Sequence, residues 1–341
     1  MKQVQAKYFL WAATLCLVGI IVLTYYFFFT SFSKHAETQY VYVDRDDTTD
    51  SVFTKLESIG TLHGRMALTT MLRHTNYCEN IHTGRYAIEP NASTVSIFRQ
   101  LKNGRQQPMM LTIPESRTMD KLAAQLSQRL MLDSATIAEA LRTPEFTATY
   151  GYDTATIACM FVPNTYEVYW DFSLERLMNR MQKEHDKFWQ GERNAKAQAI
   201  GLTPNEVCTL ASIVDEETAN NVEKPMVAGM YLNRLKQQMP LQADPTVKFA
   251  LKQFELRRIY HNMLNFNSPW NTYRYAGLPP GPIKIASVQG IDAVLNRADH
   301  NYLYMCAKED FSGTHNFAVT YQEHMKNAAR YAKALNERGI K

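Results

Sequence analysis

The chain has 341 residues, enough for two or three domains with their own cores. Its formal net charge of +4, with a pI near 8.6, gives no argument for a nucleic-acid partner. The five cysteines show no CxxC spacing, so neither a metal site nor a cofactor is expected.

The first element is apolar. Tyr8 to Phe29, YFLWAATLCLVGIIVLTYYFFF, carries no charged side chain and matches the ~20 residues that cross a bilayer as a helix. Lys2 and Lys7 precede it, which favours a cytoplasmic N-terminus. A cleaved signal peptide also starts basic and apolar, but here bulky aromatics stand where a small-residue cleavage site belongs. The expectation is a retained single-pass anchor in the cytoplasmic (inner) membrane with everything after it outside the cytoplasm. The sequence divides into a tail 1–7, a membrane helix 8–29, a tether 30–39, a region 40–152 and a C-terminal region 153–341. Of the exported cysteines, Cys78, Cys159, Cys208 and Cys306 could pair in three ways. Single buried thiols are the simpler expectation, and the disulfide state stays open.

Tyr40 to Val43 alternates like a strand, followed by Asp46, Asp47 and Thr48 and then a helical pattern at Val52, Phe53 and Leu56. The same order returns further on: Leu111 to Ile113, Thr118, then Leu122 and Leu126, with a second helix at Ser134 to Leu141. The stretch LTIPESRTMDKLAAQLSQRLMLDSATIAEAL resembles LysM modules, which bind N-acetylglucosamine-containing wall glycans; any small β-α-α unit reads the same way. Between the copies, GRYAIEP is strand-like and Val95 to Leu101 is helical. In FVPNTYEVYWDF, residues Tyr166, Tyr169 and Trp170 suit either stacking on sugar rings or a core. A helix from Leu174 to Phe188 follows.

Thr203 to Ala219, TPNEVCTLASIVDEETA, organises the rest. Thr203 and Glu206 form a capping box, Pro204 suits the first helical position, and so the phase of the helix is set. Val207, Leu210, Ile213 and Val214 make one face, and Glu217 falls on it at ~100° per residue. Asp215 lies at the edge of that face and Glu216 opposite, where both are expected to be solvated. A carboxyl drawn into apolar surroundings stays protonated towards neutrality, which suits a general acid; the alternative is a buried Glu paired with an Arg.

Lys224-Pro225 starts a further helix with Arg234 near its inner edge. In MPLQADPTVKFAL, Asp244 is placed to cap the helix that begins at Pro245, while Gln242 faces a groove. SPWNTYRYAGLPPGPI joins Asn271, Thr272 and Tyr273 to a rigid turn. Two strands around Ser312-Gly313, with His315 at the start of the second, precede a helix from Tyr321 to Arg338.

In this order, ASIVDEETA, VAGMYLNRL, LQADPTV, NTYRYAGLPPGPI and THNF, preceded by GRYAIEP and FVPNTYEVY, resemble one family, the endolytic murein transglycosylases (YceG-like). The resemblance implies an α+β protein with one N-terminal transmembrane helix, a LysM-like portion and a lysozyme-like catalytic portion. It implies cleavage of the MurNAc-β-1,4-GlcNAc bond within peptidoglycan glycan strands, leaving 1,6-anhydroMurNAc ends. It makes Glu217 the catalytic acid and base and leaves Gln242, Asp244, Asn271, Thr272 and Tyr273 as substrate-binding candidates. It also suggests a link to the membrane-embedded wall-synthesis machinery. Two readings compete: a hydrolytic muramidase with Asp215 or Asp244 as second carboxylate, and a noncatalytic wall-binding scaffold.

Overall fold

The computed structural model describes residues 2–256 and 258–339. In chain order the elements are α1 (Lys2–Phe28), β1 (Gln39–Val43), α2 (Thr49–Glu57), α3 (Leu62–Arg73), β2 (Gly84–Ile88), α4 (Thr94–Lys102), β3 (Met109–Thr112), α5 (Met119–Ser127), α6 (Ser134–Arg142), α7 (Pro144–Ala148), β4 (Thr165–Val168), α8 (Leu174–Trp189), α9 (Glu192–Ala199), α10 (Pro204–Glu217), α11 (Lys224–Lys236), α12 (Asp244–Leu251), α13 (Val288–Leu295), β5 (Tyr304–Ala307), β6 (His315–Ala318) and α14 (Tyr321–Glu337). Helices and small two-stranded sheets together make this an α+β chain. It forms two compact units. One holds the residues up to Leu111 with Arg129–Met131 and Glu167–Phe172; the other holds Thr112–Gln128, Leu132–Tyr166 and Ser173 onwards.

In the first unit, Val4–Phe28 of α1 is long and apolar enough to cross a membrane. The stretch expected as a tether does not hang free. Phe32 is 0% exposed in the core, its N–H donates to Ala92 O at 2.8 Å, and its carbonyl accepts from Thr61 N–H at 2.8 Å. One large apolar side chain among polar neighbours was enough to draw the segment inward. β1 pairs antiparallel with β2, with Val41 opposite Tyr86, so Val41 and Val43 face the core and Tyr40 and Tyr42 face out. Thr48, Thr61 and Ser93 cap α2, α3 and α4 through their hydroxyls. Val52, Leu56, Leu68, Leu72, Ile97 and Leu101 carry these helices into the same core. α3 lies where the sequence reading assigns no element.

The second unit is built around α10. The Thr203–Glu206 capping box is present, as expected. The helix is not amphipathic in its surroundings: Val207 to Val214 are all buried, including Thr209 and Ser212. Those two hydroxyls satisfy themselves locally, Thr209 Oγ1 on Asn205 O at 2.8 Å and Ser212 Oγ on Thr209 O at 2.7 Å. α11, α12 and α13 pack on α10. Of the aromatics weighed for sugar stacking, Tyr166 is core, its hydroxyl donating to Val162 O at 2.7 Å, whereas Tyr169 is exposed. Cys159 and Cys208 are buried thiols, while Cys78 is exposed rather than buried because its short 3-10 turn buries only Tyr77.

Candidate active site

Three consecutive carboxylates end α10, and the structure gives each a different set of partners. Asp215 is not solvated: its side chain is 2% exposed and accepts from Lys224 Nζ, Ser287 N–H and Ser287 Oγ, each at 2.7 Å. The fit is close, since a Cβ on Gly290 would stand 2.5 Å from Asp215 Oδ1. Glu216 is not solvated either. It is held by Arg117 at 2.8 and 3.2 Å, with Lys284 at 3.7 Å. Both corrections have one cause: cations and N–H donors from other elements of the fold cover the two sides of α10 that a helical wheel assigns to water.

Glu217 differs. Among the described residues it has no cationic partner within ion-pair distance, and its carboxyl accepts one hydrogen bond, from the Tyr231 hydroxyl at 2.8 Å. Burial raises its pKa to about 7; the Tyr231 hydrogen bond opposes that rise and the Asp244 charge adds to it. A carboxyl poised there holds a proton on part of the population at neutral pH and can both give and take one. The alternative of an Arg-paired structural Glu does not describe it.

Glu217 lies in an open cleft of about 340 Å³ whose lining includes Tyr231, Arg234, Gln242, Asp244 and Tyr273. Gln242 is exposed, with φ +54°, a left-handed conformation that costs a non-glycine residue about 1–2 kcal/mol. It is held there by its N–H on Thr272 O at 3.1 Å and by Arg234, whose guanidinium donates to Gln242 Oε1 at 2.6 Å. Asp244 does not cap α12. It begins the helix, and its Oδ1 accepts from the Tyr273 hydroxyl at 2.6 Å. The acceptor that a cap would use is thus spent across the cleft wall. Burial, and then the Asp244 carboxylate, push the Tyr273 phenol well up, which keeps it a neutral donor.

Asn271 and Thr272 are 0% and 1% exposed and are absent from the lining. Asn271 Nδ2 donates to Leu264 O and Phe266 O, both at 2.8 Å. Thr272 Oγ1 accepts from Ala243 N–H at 3.0 Å and lies 2.8 Å from Thr246 Oγ1. They pin the loop that presents Tyr273 and Gln242. The lining also includes groups that sequence reasoning did not assign to the site: Tyr231, Tyr304 and His324. Tyr231 carried a usable signal, because a buried phenol on an apolar helix face needs an acceptor. His315 faces the cleft as well, with its N–H and Nδ1 on Glu223 at 2.6 and 2.9 Å. Thr218 Oγ1 donates to the same carboxylate at 3.0 Å, which ties the residue after Glu217 to β6.

Comparison with known proteins gives a consistent picture. The model of the YceG-like family matches residues 41–330. An endolytic murein transglycosylase of Bacillus subtilis is 33% identical over 168 residues, covering 49% of this chain and 46% of that protein. One of Streptococcus pneumoniae is 25% identical over 319 residues, covering 82% of this chain and 56% of that protein. The chain therefore spans about half the length of the curated relatives it matches. The crystal structure of a YceG-like protein from Listeria monocytogenes superposes with a TM-score of 0.55 at 26% identity, covering 86% of this chain and 99% of that one.

Proposed function

The chain belongs to the YceG-like family, and from that premise we propose that it is a membrane-anchored endolytic transglycosylase of peptidoglycan glycan strands. The observation that carries this reading is the difference among the three acids at the end of α10: Asp215 and Glu216 are committed to cations, and Glu217 faces an open cleft with the Tyr231 hydroxyl as its partner. The names of the relatives supply the reaction class.

In the proposed mechanism the substrate bond is MurNAc-β-1,4-GlcNAc. Protonated Glu217 gives its proton to the glycosidic oxygen as the bond breaks. The resulting carboxylate then takes the proton of the muramic C6 hydroxyl as that oxygen attacks the anomeric carbon, closing a 1,6-anhydro ring. No water enters, and the acid is regenerated. Because the substrate supplies the nucleophile, a second carboxylate is not needed. A positioned acid and base contributes roughly 10²–10⁴ to the rate. Tyr231 holds the Glu217 carboxyl in place. Gln242, Asp244 and Tyr273 bind sugar hydroxyls and amides, and Asn271 and Thr272 act behind them by fixing the loop.

A second reading has one observation in its favour. Asp244 lines the same cleft as Glu217, so a water-activating base is at hand for hydrolysis. Asp215 is a poor candidate for that role because its oxygens are fully engaged. We further propose that α1 is the single-pass anchor in the cytoplasmic membrane, that the strand-helix-helix repeats bind wall glycan in the manner of LysM modules, and that the anchor keeps cutting near the wall-synthesis machinery. With the full chain in detergent and purified glycan strands, Glu217→Gln abolishes cleavage and leaves strand binding intact. Cleavage retained in that variant would remove Glu217 from its role and favour another acid; a wild-type chain that binds strands without cutting them would favour the scaffold.

A further inference from the structure

A second cleft, of about 450 Å³, lies wholly within the first unit, and its lining includes Phe29, Ala92, Ser93, Arg99, Gln100 and Arg105. Arg99 is in the last turn of α4, and Arg105 follows the Gly104 turn, its N–H donating to Gln100 O at 2.9 Å. Both arginines are exposed, and neither guanidinium has a hydrogen-bond, ion-pair or ring partner among the described residues. Among the described residues of the lining Glu89 is the one acid against Arg99 and Arg105, so the cleft keeps an excess of positive charge.

The position of this cleft relative to a bilayer is set by short, rigid links. The charge-free stretch Tyr8–Phe29 has 22 residues, about 33 Å at 1.5 Å per residue, close to the ~30 Å hydrocarbon layer, so Phe29 falls at its edge beside the headgroups. Phe29 continues that helix, its N–H donating to Tyr25 O at 2.9 Å. Ser31 bridges to Ser93 and the Phe32 N–H binds Ala92 O, so the two residues after Thr30 are fastened to the cleft wall itself. On another side of the same joint, Thr30 Oγ1 and His63 Nε2 are 3.0 Å apart, and the Tyr26 and His63 rings have centroids 4.2 Å apart. There is no slack chain between span and unit.

We propose that this cleft binds the phosphate of a membrane phospholipid headgroup, with Arg99 and Arg105 on the phosphate oxygens and Phe29 against the glycerol and upper acyl chain. The inference rests on the reading of α1 as a membrane span. Guanidinium groups match phosphate oxygens bidentately, and an aromatic ring at headgroup depth is at home on the lipid side. Bound lipid would fix the orientation of the first unit on the membrane surface.

The test uses the full chain in lipid nanodiscs containing phosphatidylglycerol, released for native mass spectrometry. The wild-type chain retains one phospholipid. Arg99→Gln with Arg105→Gln reduces that retention about tenfold, whereas Lys102→Gln, an exposed cation of α4 outside the lining, leaves it unchanged. Retention that ignores the arginines while the chain sits in the disc overturns the inference alone. A chain that does not enter the disc overturns the span reading and the inference together. Loss of lipid on adding millimolar inorganic phosphate, with phosphate retained in its place, makes the site one for free phosphate and overturns the lipid assignment.

Discussion

The Tyr231 hydroxyl donates to Glu217 Oε1 at 2.8 Å, across from the end of α10 to the middle of α11. This contact stabilises the ionised carboxylate and so holds the Glu217 pKa below the level burial alone would set. Tyr231→Phe keeps the ring and removes the donor. A hydrogen bond to a charged group contributes about 1.5–3 kcal/mol, equivalent to about 1–2 pKa units. The alkaline limb of the pH–rate profile therefore moves to higher pH by about that amount, while the maximal rate falls as the carboxyl loses its orientation. A limb that stays in place in Tyr231→Phe would separate the phenol from the titration of Glu217.

The raised pKa of Glu217 also predicts a pH dependence of stability that needs no substrate. The folded chain holds this proton up to about pH 7, whereas an unfolded Glu releases it near 4.3. Between those values the native state binds more protons, so the group's contribution to stability falls as pH rises, by up to about 4 kcal/mol in all. Glu217→Gln removes the titration. Denaturant unfolding of the two proteins gives a difference in favour of the variant that grows from pH 4.5 to pH 7 and is flat above. A difference independent of pH would place the carboxyl in ordinary solvent.

Asp215 gives a contrasting prediction. Asp215→Asn leaves Lys224, whose side chain is 8% exposed, without its counter-charge. Breaking a buried pair from one side costs about 3–5 kcal/mol. The double variant with Lys224→Met regains much of that loss, because no unpaired charge remains. Chemical denaturation of the single and double variants measures both. The alkaline limb of activity stays where it is in whatever fraction is folded, because Asp215 acts on the fold and not on the proton transfer.

The local grammar of this chain was legible. Thr203 with Glu206 marks a helix start that the structure keeps, and the helices expected after Thr48 and Thr118 begin there. The β5–β6 hairpin and α14 also fall where turn residues and periodicity place them. The environment of α10 was not legible, because a helical wheel supplies one apolar face and assumes water on the other. Arg117, 99 residues before Glu216, and Ser287, 72 residues after Asp215, replace that water. The same limit explains Asp244, Asn271 and Thr272. A polar side chain in a loop reads alike whether it faces a ligand or holds the loop, and only the fold brings Tyr273 to Asp244 or Thr272 to Ala243.

The most direct test of the account is the mass of the fragments that the full chain releases from purified glycan strands. Glu217 acting alone, with the muramic C6 hydroxyl as nucleophile, yields fragments that end in 1,6-anhydroMurNAc and are lighter by one water than hydrolysis products. Fragments carrying the added water would contradict the account and assign the cleft to a hydrolase with Asp244 as its base.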